Sequence, residues 1–172
     1  MLPAKKLAAA SKTFTVLLLV FIGFSARSAS AQSERIIYTP QPGTPVGIQN
    51  FPQIEIGCSF LGVGGQVIDH FGSPLTGLVV KVFGSLNGQS ILLFSITGGA
   101  SGFGPGGFLL TITDQPVRSV GTLFLQVMNL AGKELSTPIA FDTYDDCSRN
   151  LIVLNVVEGV IQNPLLLPQV FR

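Results

Sequence analysis

Short apolar runs separated by turn residues fill the chain from Ile54 onward, and they constrain the fold more than any other feature of the sequence. The runs are rich in Val, Ile, Leu, Phe and Thr, a composition typical of β-strands. They show none of the 3.6-residue periodicity that predicts an amphipathic helix. The pattern therefore predicts an all-β domain of seven strands, at residues 60–69, 78–83, 90–97, 108–113, 122–129, 135–141 and 151–157.

The pair Asn87-Gly88 gives the strongest local signal, because it stands between two of these runs. Both central residues of a type I′ turn have positive φ, which Asn and Gly adopt at low cost, so the pair predicts a β-hairpin. Gly62, Gly64 and Gly65 fall within the first run and indicate a bulge or a close approach of another backbone. Seven short strands over about 100 residues predict two packed sheets, a β-sandwich.

Residues 1–31 have the three-part layout of a secretory signal. Lysines give a positive start, an apolar run covers residues 14–24, and Ala29-Ser30-Ala31 form a cleavage site of small residues. The alternative is an uncleaved membrane anchor, but a spanning helix needs about 20 apolar residues and this run has roughly half that. We therefore expect cleavage after Ala31, a secreted or cell-surface location, and no membrane span in the mature protein.

Loss of the signal changes the net charge. Four of the ten Lys and Arg residues lie within it and none of the nine Asp and Glu, so the mature chain is near −3 instead of +1. The remaining basic residues are scattered, whereas phosphate binding needs them clustered. The charge therefore argues against nucleic acid and against anionic membrane surfaces as partners.

The two cysteines, Cys58 and Cys147, stand just before the first and the last predicted strand. In an exported chain, an even number of cysteines favours a disulfide. The alternatives are two free buried thiols or a metal-binding pair. With one histidine and no CxxC spacing in the chain, zinc is disfavoured. We predict a Cys58–Cys147 bridge that joins the two ends of the domain.

The segments that flank the strands have their own composition. Residues 32–53 contain four prolines, and proline restricts both itself and its predecessor, which predicts an extended arm. Residues 158–172 are too apolar for a solvated tail. The tail either packs on its own sheet or serves as a docking or self-association segment through its large apolar residues, Leu165, Leu166, Leu167, Val170 and Phe171.

The predicted organisation is therefore a signal at 1–31, an arm at 32–53, a sandwich domain at 54–157 and a tail at 158–172. Within the domain, CSFLGVGGQV at 58–67, followed by GSPLTGLVV at 72–80, resembles the opening of carboxypeptidase-regulatory-like and transthyretin-like sandwich domains. Those domains often begin with a strand, a Gly-x-Pro-Leu turn and a second strand.

A second resemblance covers residues 58–157 and is to a group of bacterial extracytoplasmic domains to which no function is assigned. It rests on SLNG at 85–88, FGPGGF at 103–108, GTL at 121–123 and FDTYDDCSRNL at 141–151. The group usually has Trp where Phe60 stands. The resemblances imply a single seven-stranded Ig-like or transthyretin-like β-sandwich with an extended N-terminal arm and an apolar C-terminal tail. They transfer no function, because one fold hosts many functions.

Two motifs that suggest chemistry have simpler interpretations. Gly102, Gly104 and Gly107 fit the GxGxxG spacing, but a dinucleotide site needs a helix directly after the loop, and here Pro105 and a β-like run follow. We interpret this segment as a loop between strands. His70 is the only histidine, with Asp69 and Ser73 in the same turn. Neighbours on one turn rarely reach the geometry of a Ser–His–Asp triad. No catalytic or cofactor-binding residue is predicted.

Asp142, Asp145 and Asp146 form the densest group of carboxylates and are a weak calcium candidate, because calcium binds six to eight oxygens. The alternative is a solvated turn in which the Asp side chains cap backbone N–H groups. The chain lacks Trp, so Tyr38 and Tyr144 are the candidates for stacking on a sugar. Most Phe residues are assigned to the core.

These observations predict a non-enzymatic secreted or cell-surface module with a structural, adhesion or interaction role and a protein or envelope partner. The alternative is an extracellular module that binds a small ligand or a glycan. A hydrolase ranks third, because the sequence offers no plausible pair of nucleophile and base.

Overall fold

The computed structural model describes residues 35–49, 51 and 57–161, and these form an all-β structure. Two 3₁₀ turns, Ser101–Phe103 and Cys147–Arg149, accompany ten strands. The described elements include no helix long and apolar enough to cross a membrane. The strands are β1 (Arg35–Pro40), β2 (Val46–Ile48), β3 (Leu61–Ile68), β4 (Val79–Leu86), β5 (Gln89–Ile96), β6 (Gly107–Thr113), β7 (Ser119–Met128), β8 (Ile139–Thr143), β9 (Leu151–Val153) and β10 (Val156–Ile161).

The strands form two sheets, which confirms the predicted β-sandwich. In the four-stranded sheet the order is β5-β4-β7-β8, and every neighbouring pair is antiparallel. The six-stranded sheet has the order β1-β10-β3-β9-β2, with β6 on the free side of β3. Within this sheet, β3 pairs in parallel with β9 and β10 and antiparallel with β6.

The predicted count of seven strands is too low, and the excess has two sources. The last predicted strand is interrupted at Leu154 and Asn155 and becomes β9 and β10. The predicted arm contributes β1 and β2, which pair antiparallel with β10 and β9 at the edge of the sheet. Edge positions suit a proline-rich segment, because proline cannot donate to a central ladder.

The interruption in the last strand is held by one polar side chain. Asn155 accepts a hydrogen bond from the Gln66 backbone N–H at 3.0 Å and donates one to the Gln41 side chain at 3.0 Å. The Asn155 carbonyl accepts from the Gln41 backbone N–H at 2.8 Å. The arm and the last strand therefore bend together, and β10 continues to Ile161, so residues 158–161 belong to the sheet and not to a tail. The rest of the predicted tail and the predicted signal lie outside the described residues.

The predicted hairpin is confirmed at Asn87-Gly88, where φ is 48° and 76°. Leu86 pairs with Gln89 across the turn, and β4 and β5 stay in register from there to Val79 and Ile96. The register of β3 against β6 shifts between Leu61 and Gly62, but the extra residue is Ile112 of β6. For the glycines of the first strand the structure supports the other prediction, a close approach, because a side chain at Gly62 or Gly65 would collide with the backbone carbonyl of Leu110 or Leu154.

The main core lies between the two sheets and follows from alternation along the strands. Val80 and Val82 of β4 and Leu125 of β7 face Val63 of β3 and Phe108 of β6, and all five side chains are fully buried. A second apolar cluster covers the outer face of the six-stranded sheet, and its buried members are Phe103, Leu151 and Val153. β3 is consequently buried on both faces over Leu61–Gly65.

The predicted disulfide joins Cys58 to Cys147, with 5.0 Å between the Cα atoms, so the readings as free thiols or a metal pair are ruled out. It ties the segment before β3 to the turn before β9. Asn150 reinforces this link, because its side-chain amide donates to the carbonyls of Gly57 at 2.8 Å and Phe60 at 3.0 Å. Its side chain is fully buried.

Candidate functional site

The outer face of the four-stranded sheet carries the largest set of apolar side chains that the described residues leave open. Alternation turns Val79, Lys81 and Phe83 of β4 outward, since Val80 and Val82 face the core. The paired residues on the neighbouring strands share that face. We call the apolar members the outer patch, which comprises Val79, Phe83, Leu92, Phe94, Ile96, Phe124 and Met128.

The most exposed part of the outer patch lies on β5. Leu92 is 60% exposed, Phe94 58% and Ile96 52%. Soluble monomers rarely expose contiguous apolar patches larger than a few hundred Å², and larger ones often mark interaction sites. In the six-stranded sheet, by contrast, the outer face is covered by Phe103 and its neighbours from the same chain. The open face of the other sheet is therefore the first candidate for function.

One charged side chain lies within the outer patch, and it is already paired. Lys81 Nζ lies 4.6 Å from the centroid of the Phe83 ring and 3.8 Å from the Glu134 carboxylate. Its side chain is only 18% exposed. The rings of Phe83 and Phe124 stack with their centroids 5.6 Å apart. The patch thus presents an ordered and nearly uncharged surface.

β5 is also the edge of its sheet, and its backbone groups alternate in direction. The two-residue turn pairs Leu86 with Gln89, and Thr97 donates to Leu78 at 2.9 Å and accepts from Gly77 at 3.0 Å. Odd-numbered residues of β5 therefore point their N–H and C=O groups at β4. Even-numbered residues point theirs away from β4, and these are Ser90, Leu92, Phe94 and Ile96. The Ile96 carbonyl already accepts from the Gly99 backbone N–H at 3.2 Å.

A groove runs beside this edge. It has a volume of about 680 Å³ and is lined by residues 94–96 of β5, by residues 99–102 of the following loop and by Leu109.

A polar cluster lies at the end of the sandwich where β3 ends. The Tyr38 hydroxyl donates to the Glu158 carboxylate at 3.4 Å, and the same carboxylate lies 3.6 Å from His70 Nδ1. Asp69 uses its carboxylate to accept from the backbone N–H groups of Phe71 and Ser73. The Asp69–His70–Ser73 turn is therefore a capped turn in which the histidine pairs with Glu158, and it does not form a triad.

Burial, together with the neighbouring Glu158 carboxylate, raises the pKa of Tyr38 to about 12 from its ordinary value of 10.0. A raised tyrosine pKa stabilises the folded protein fully below pH 10, and this contribution is lost as the pH rises through about 12.

We expect unfolding titrations between pH 9 and about 12 to show a steeper loss of stability for the native chain than for Tyr38→Phe. Equal slopes for the two proteins would contradict a raised pKa for Tyr38.

The structure does not group the three aspartates of the calcium hypothesis in the described residues. Asp142 faces outward from β8 and accepts from the Gly121 backbone N–H at 2.9 Å. Asp146 caps the second 3₁₀ turn, where hydrogen bonds from Ser148 lower its pKa. In the described residues no three His, Cys, Asp or Glu side chains are grouped so as to hold a metal ion. Asp142 and Asp146 thus accept from backbone N–H groups, as in the alternative interpretation of this turn.

Neither tyrosine offers a free ring for a sugar. Tyr38 is only 6% exposed. The Tyr144 ring packs on the Gly47 backbone and carries the Arg149 guanidinium 4.0 Å from its centroid. Tyr144 lines a cleft of about 230 Å³ between β2 and β8, together with Asp142.

The glycine-rich loop is a tight connection between β5 and β6. Gly98 and Ala100 both donate to the Gly107 carbonyl, at 2.8 and 3.2 Å, and Gly107 donates to Gly104 at 2.9 Å. Phe103 anchors the loop against Gly64 and packs on Phe51, with the two rings tilted by 32° and their centroids 4.7 Å apart. β6 follows directly, so the loop has the structural role that the sequence predicts, without the helix that a dinucleotide site needs.

No family model matches the chain, and no curated protein sequence matches it. Two solved structures are similar. One is the dioxygenase domain of a dioxygenase and carbohydrate-binding protein fusion from Streptomyces sp. SirexAA-E, with 15% identity, a TM-score of 0.38, and coverage of 69% of this chain and 96% of that chain. The other is chlorocatechol 1,2-dioxygenase from Pseudomonas putida, with 15% identity, a TM-score of 0.36, and coverage of 69% and 68%.

The prediction that this chain is not an enzyme is contradicted by these two structures, since both are dioxygenases, and we withdraw it. With identities of 15% and TM-scores below 0.5, the similarity assigns neither a reaction nor a cofactor nor any site residue to the chain.

Proposed function

We propose that this protein is a secreted interaction module that binds a polypeptide partner on the outer patch. The single observation that carries the proposal is the open, nearly uncharged set of Leu92, Phe94 and Ile96 on the edge strand β5. Apolar surface of this kind gains free energy when a partner covers it, at roughly 25 cal/mol per Å². The disulfide fits an extracytoplasmic location, where such bonds persist.

The chemistry of the patch favours an extended or flat apolar partner. Lys81 is already paired with Glu134, so the patch offers no free charge to an acidic or basic ligand. The edge of β5 adds backbone donors and acceptors, which an extended polypeptide satisfies by β-augmentation. The glycan alternative lacks this kind of support, because the rings of Tyr38 and Tyr144 are both occupied.

The sandwich type is part of the proposal. Counted from β3 to β9, the first, fourth and seventh strands share one sheet, and the second, third, fifth and sixth share the other. An immunoglobulin constant domain divides its strands differently, with the first, second, fourth and fifth together. We favour the transthyretin-like type, which the GSPLTGLVV turn at 72–80 supports.

Site-specific photo-crosslinking tests the proposed function. A photoreactive amino acid replaces Phe94 in the protein secreted by its own host, and a matched control replaces Thr111, an exposed residue on the outer face of the other sheet. We expect an adduct with another polypeptide chain at position 94, identified by mass spectrometry, and none at position 111.

Two results would overturn the proposal. One is a crosslink within the same chain to residues 162–172, which would mean that the protein covers its own patch. The other is the same yield of adducts at positions 94 and 111, which would mean that the patch is not a preferred contact.

A further inference from the structure

The edge strand β5 has no proline, charge, bulge or short length of the kind that keeps other sheet edges from pairing, and only its C-terminal end at residues 94–96 has the loop at 99–102 beside it. Edges are usually protected by prolines, charges, bulges or short length. In the described sheets, β1 ends at Pro40, β2 has three residues, β6 has a register shift against β3, and β8 has five residues and a shift against β7. β5 is eight residues long, regular and uncharged, with the sequence QSILLFSI.

The free edge of β5 is complementary to itself. Its outward-pointing backbone groups belong to the even-numbered residues, and the same residues carry the exposed apolar side chains Leu92, Phe94 and Ile96. In an antiparallel pair, two facing residues exchange both hydrogen bonds only if each one points its N–H and C=O groups at the partner strand. Pairing Phe94 with a second Phe94 meets this condition and also sets Leu92 opposite Ile96. This register satisfies the backbone and the side chains together, with the Ile96 carbonyl accepting from the partner's Leu92 in addition to Gly99.

We infer that β5 pairs antiparallel with β5 of a second copy of this chain, which places the Leu92, Phe94 and Ile96 side chains of the two copies beside one another on the same face of the joined sheet. This inference rests on the proposed function and names its partner. A two-fold axis passes between Phe94 and the partner's Phe94, which makes the contact isologous and closed. The two four-stranded sheets become one continuous eight-stranded sheet.

The charge and the size of the β5–β5 contact determine how strong a dimer we expect. β5 has no charged residue, so two copies meet without like charges at the edge. A standard stable interface buries about 800 Å² per partner from 20–30 residues a side, and one strand edge offers fewer residues than that. We therefore expect a concentration-dependent dimer and not an obligate one.

Hydrogen–deuterium exchange on the unmodified full-length secreted protein gives the most direct test. As the protein concentration rises, we expect hydrogen exchange at the backbone amides of Leu92, Phe94 and Ile96 to slow by up to about tenfold. These amides gain a hydrogen-bond acceptor in the dimer. The amides of Ile91, Leu93 and Ser95 already bond to β4 and serve as internal controls. Protection that is independent of concentration, or equal for even and odd positions, would overturn the inference.

Sedimentation of two variants tests the register. Leu92→Lys places a charge against the partner's Ile96, and we expect the dimer dissociation constant to rise by about tenfold or more. Leu92→Lys combined with Ile96→Glu sets opposite charges against each other across the two-fold axis and should restore most of the affinity. The matched control is Val120→Lys, at an exposed apolar residue of β7.

The two proposals fail separately. A chain that sediments as a monomer at every concentration overturns the dimer, and a crosslink from position 94 to a different protein would then still support the interaction module. A double variant no tighter than Leu92→Lys overturns the proposed register. Melting temperatures of all variants show whether each one is folded.

Discussion

Removing the disulfide should lower the free energy of unfolding by about 4–5 kcal/mol, the largest single effect we expect for this chain. Cys58 and Cys147 lie 89 positions apart, so the bridge closes a long loop and restricts the unfolded chain strongly. Domains are typically stable by only 5–15 kcal/mol. The paired substitution Cys58→Ala and Cys147→Ala should therefore lower the melting temperature by roughly 10–20 °C.

Reduction of the native chain is the matched control. Treated with a thiol reductant, the native protein should melt with the double variant, while the double variant should not respond to the reductant. If the double variant unfolds within about 1 kcal/mol of the oxidised native chain, the bridge does not restrict the unfolded state as the loop length predicts.

Phe103→Ala should destabilise the fold by about 3–5 kcal/mol, the cost of removing a buried phenylalanine ring. Phe103 is 2% exposed and lies against Gly64 on the outer face of the six-stranded sheet. Its loss opens a cavity between that sheet and the loop at 98–107, and it also uncovers Leu151 and Val153. Urea unfolding measures the change.

Phe71 provides the matched control, since it is the same residue type and 82% exposed. Phe71→Ala should change stability by less than about 0.5 kcal/mol. Phe103→Leu removes less volume than Phe103→Ala and should cost less. A Phe103→Ala protein as stable as Phe71→Ala would show that the loop does not depend on its aromatic anchor.

Local turn chemistry explains why most strands could be predicted from the sequence. Asn87-Gly88 fixes the β4–β5 hairpin by itself, because its two positive φ values select one type of turn. The disulfide could also be predicted, since two cysteines allow one pairing. The start of β8 could not be predicted. The sequence predicts a strand from Leu135, but β8 begins only at Ile139. The backbone N–H groups of Leu135 and Ser136 donate to the Val127 carbonyl, and the Leu135 carbonyl accepts from the Tyr38 N–H.

Long-range partners explain what the sequence could not reveal. Tyr38 and Glu158 lie 120 positions apart, and neither belongs to a motif that would bring them together. The outer patch was hidden for another reason. Residues 91–94 are Ile-Leu-Leu-Phe, an unbroken apolar run without a period of two, so the sequence does not show which side chains face water. The structure assigns Leu92 and Phe94 to the outside through their pairing with Phe83 and Lys81.

The parallel pairing of β3 with β9 and β10 has a consequence for the order of events during synthesis. A ribosome makes β3 early, yet the strands that occupy one whole side of it come close to the end of the domain. Until they emerge, the nascent chain can close the β4–β5 hairpin and the β3–β6 pair but not the six-stranded sheet. Contacts between such distant segments are slow to form. We therefore expect β9 and β10 to insert between β3 and the arm late in folding, and a chain stalled before Leu151 to stay open and prone to aggregate.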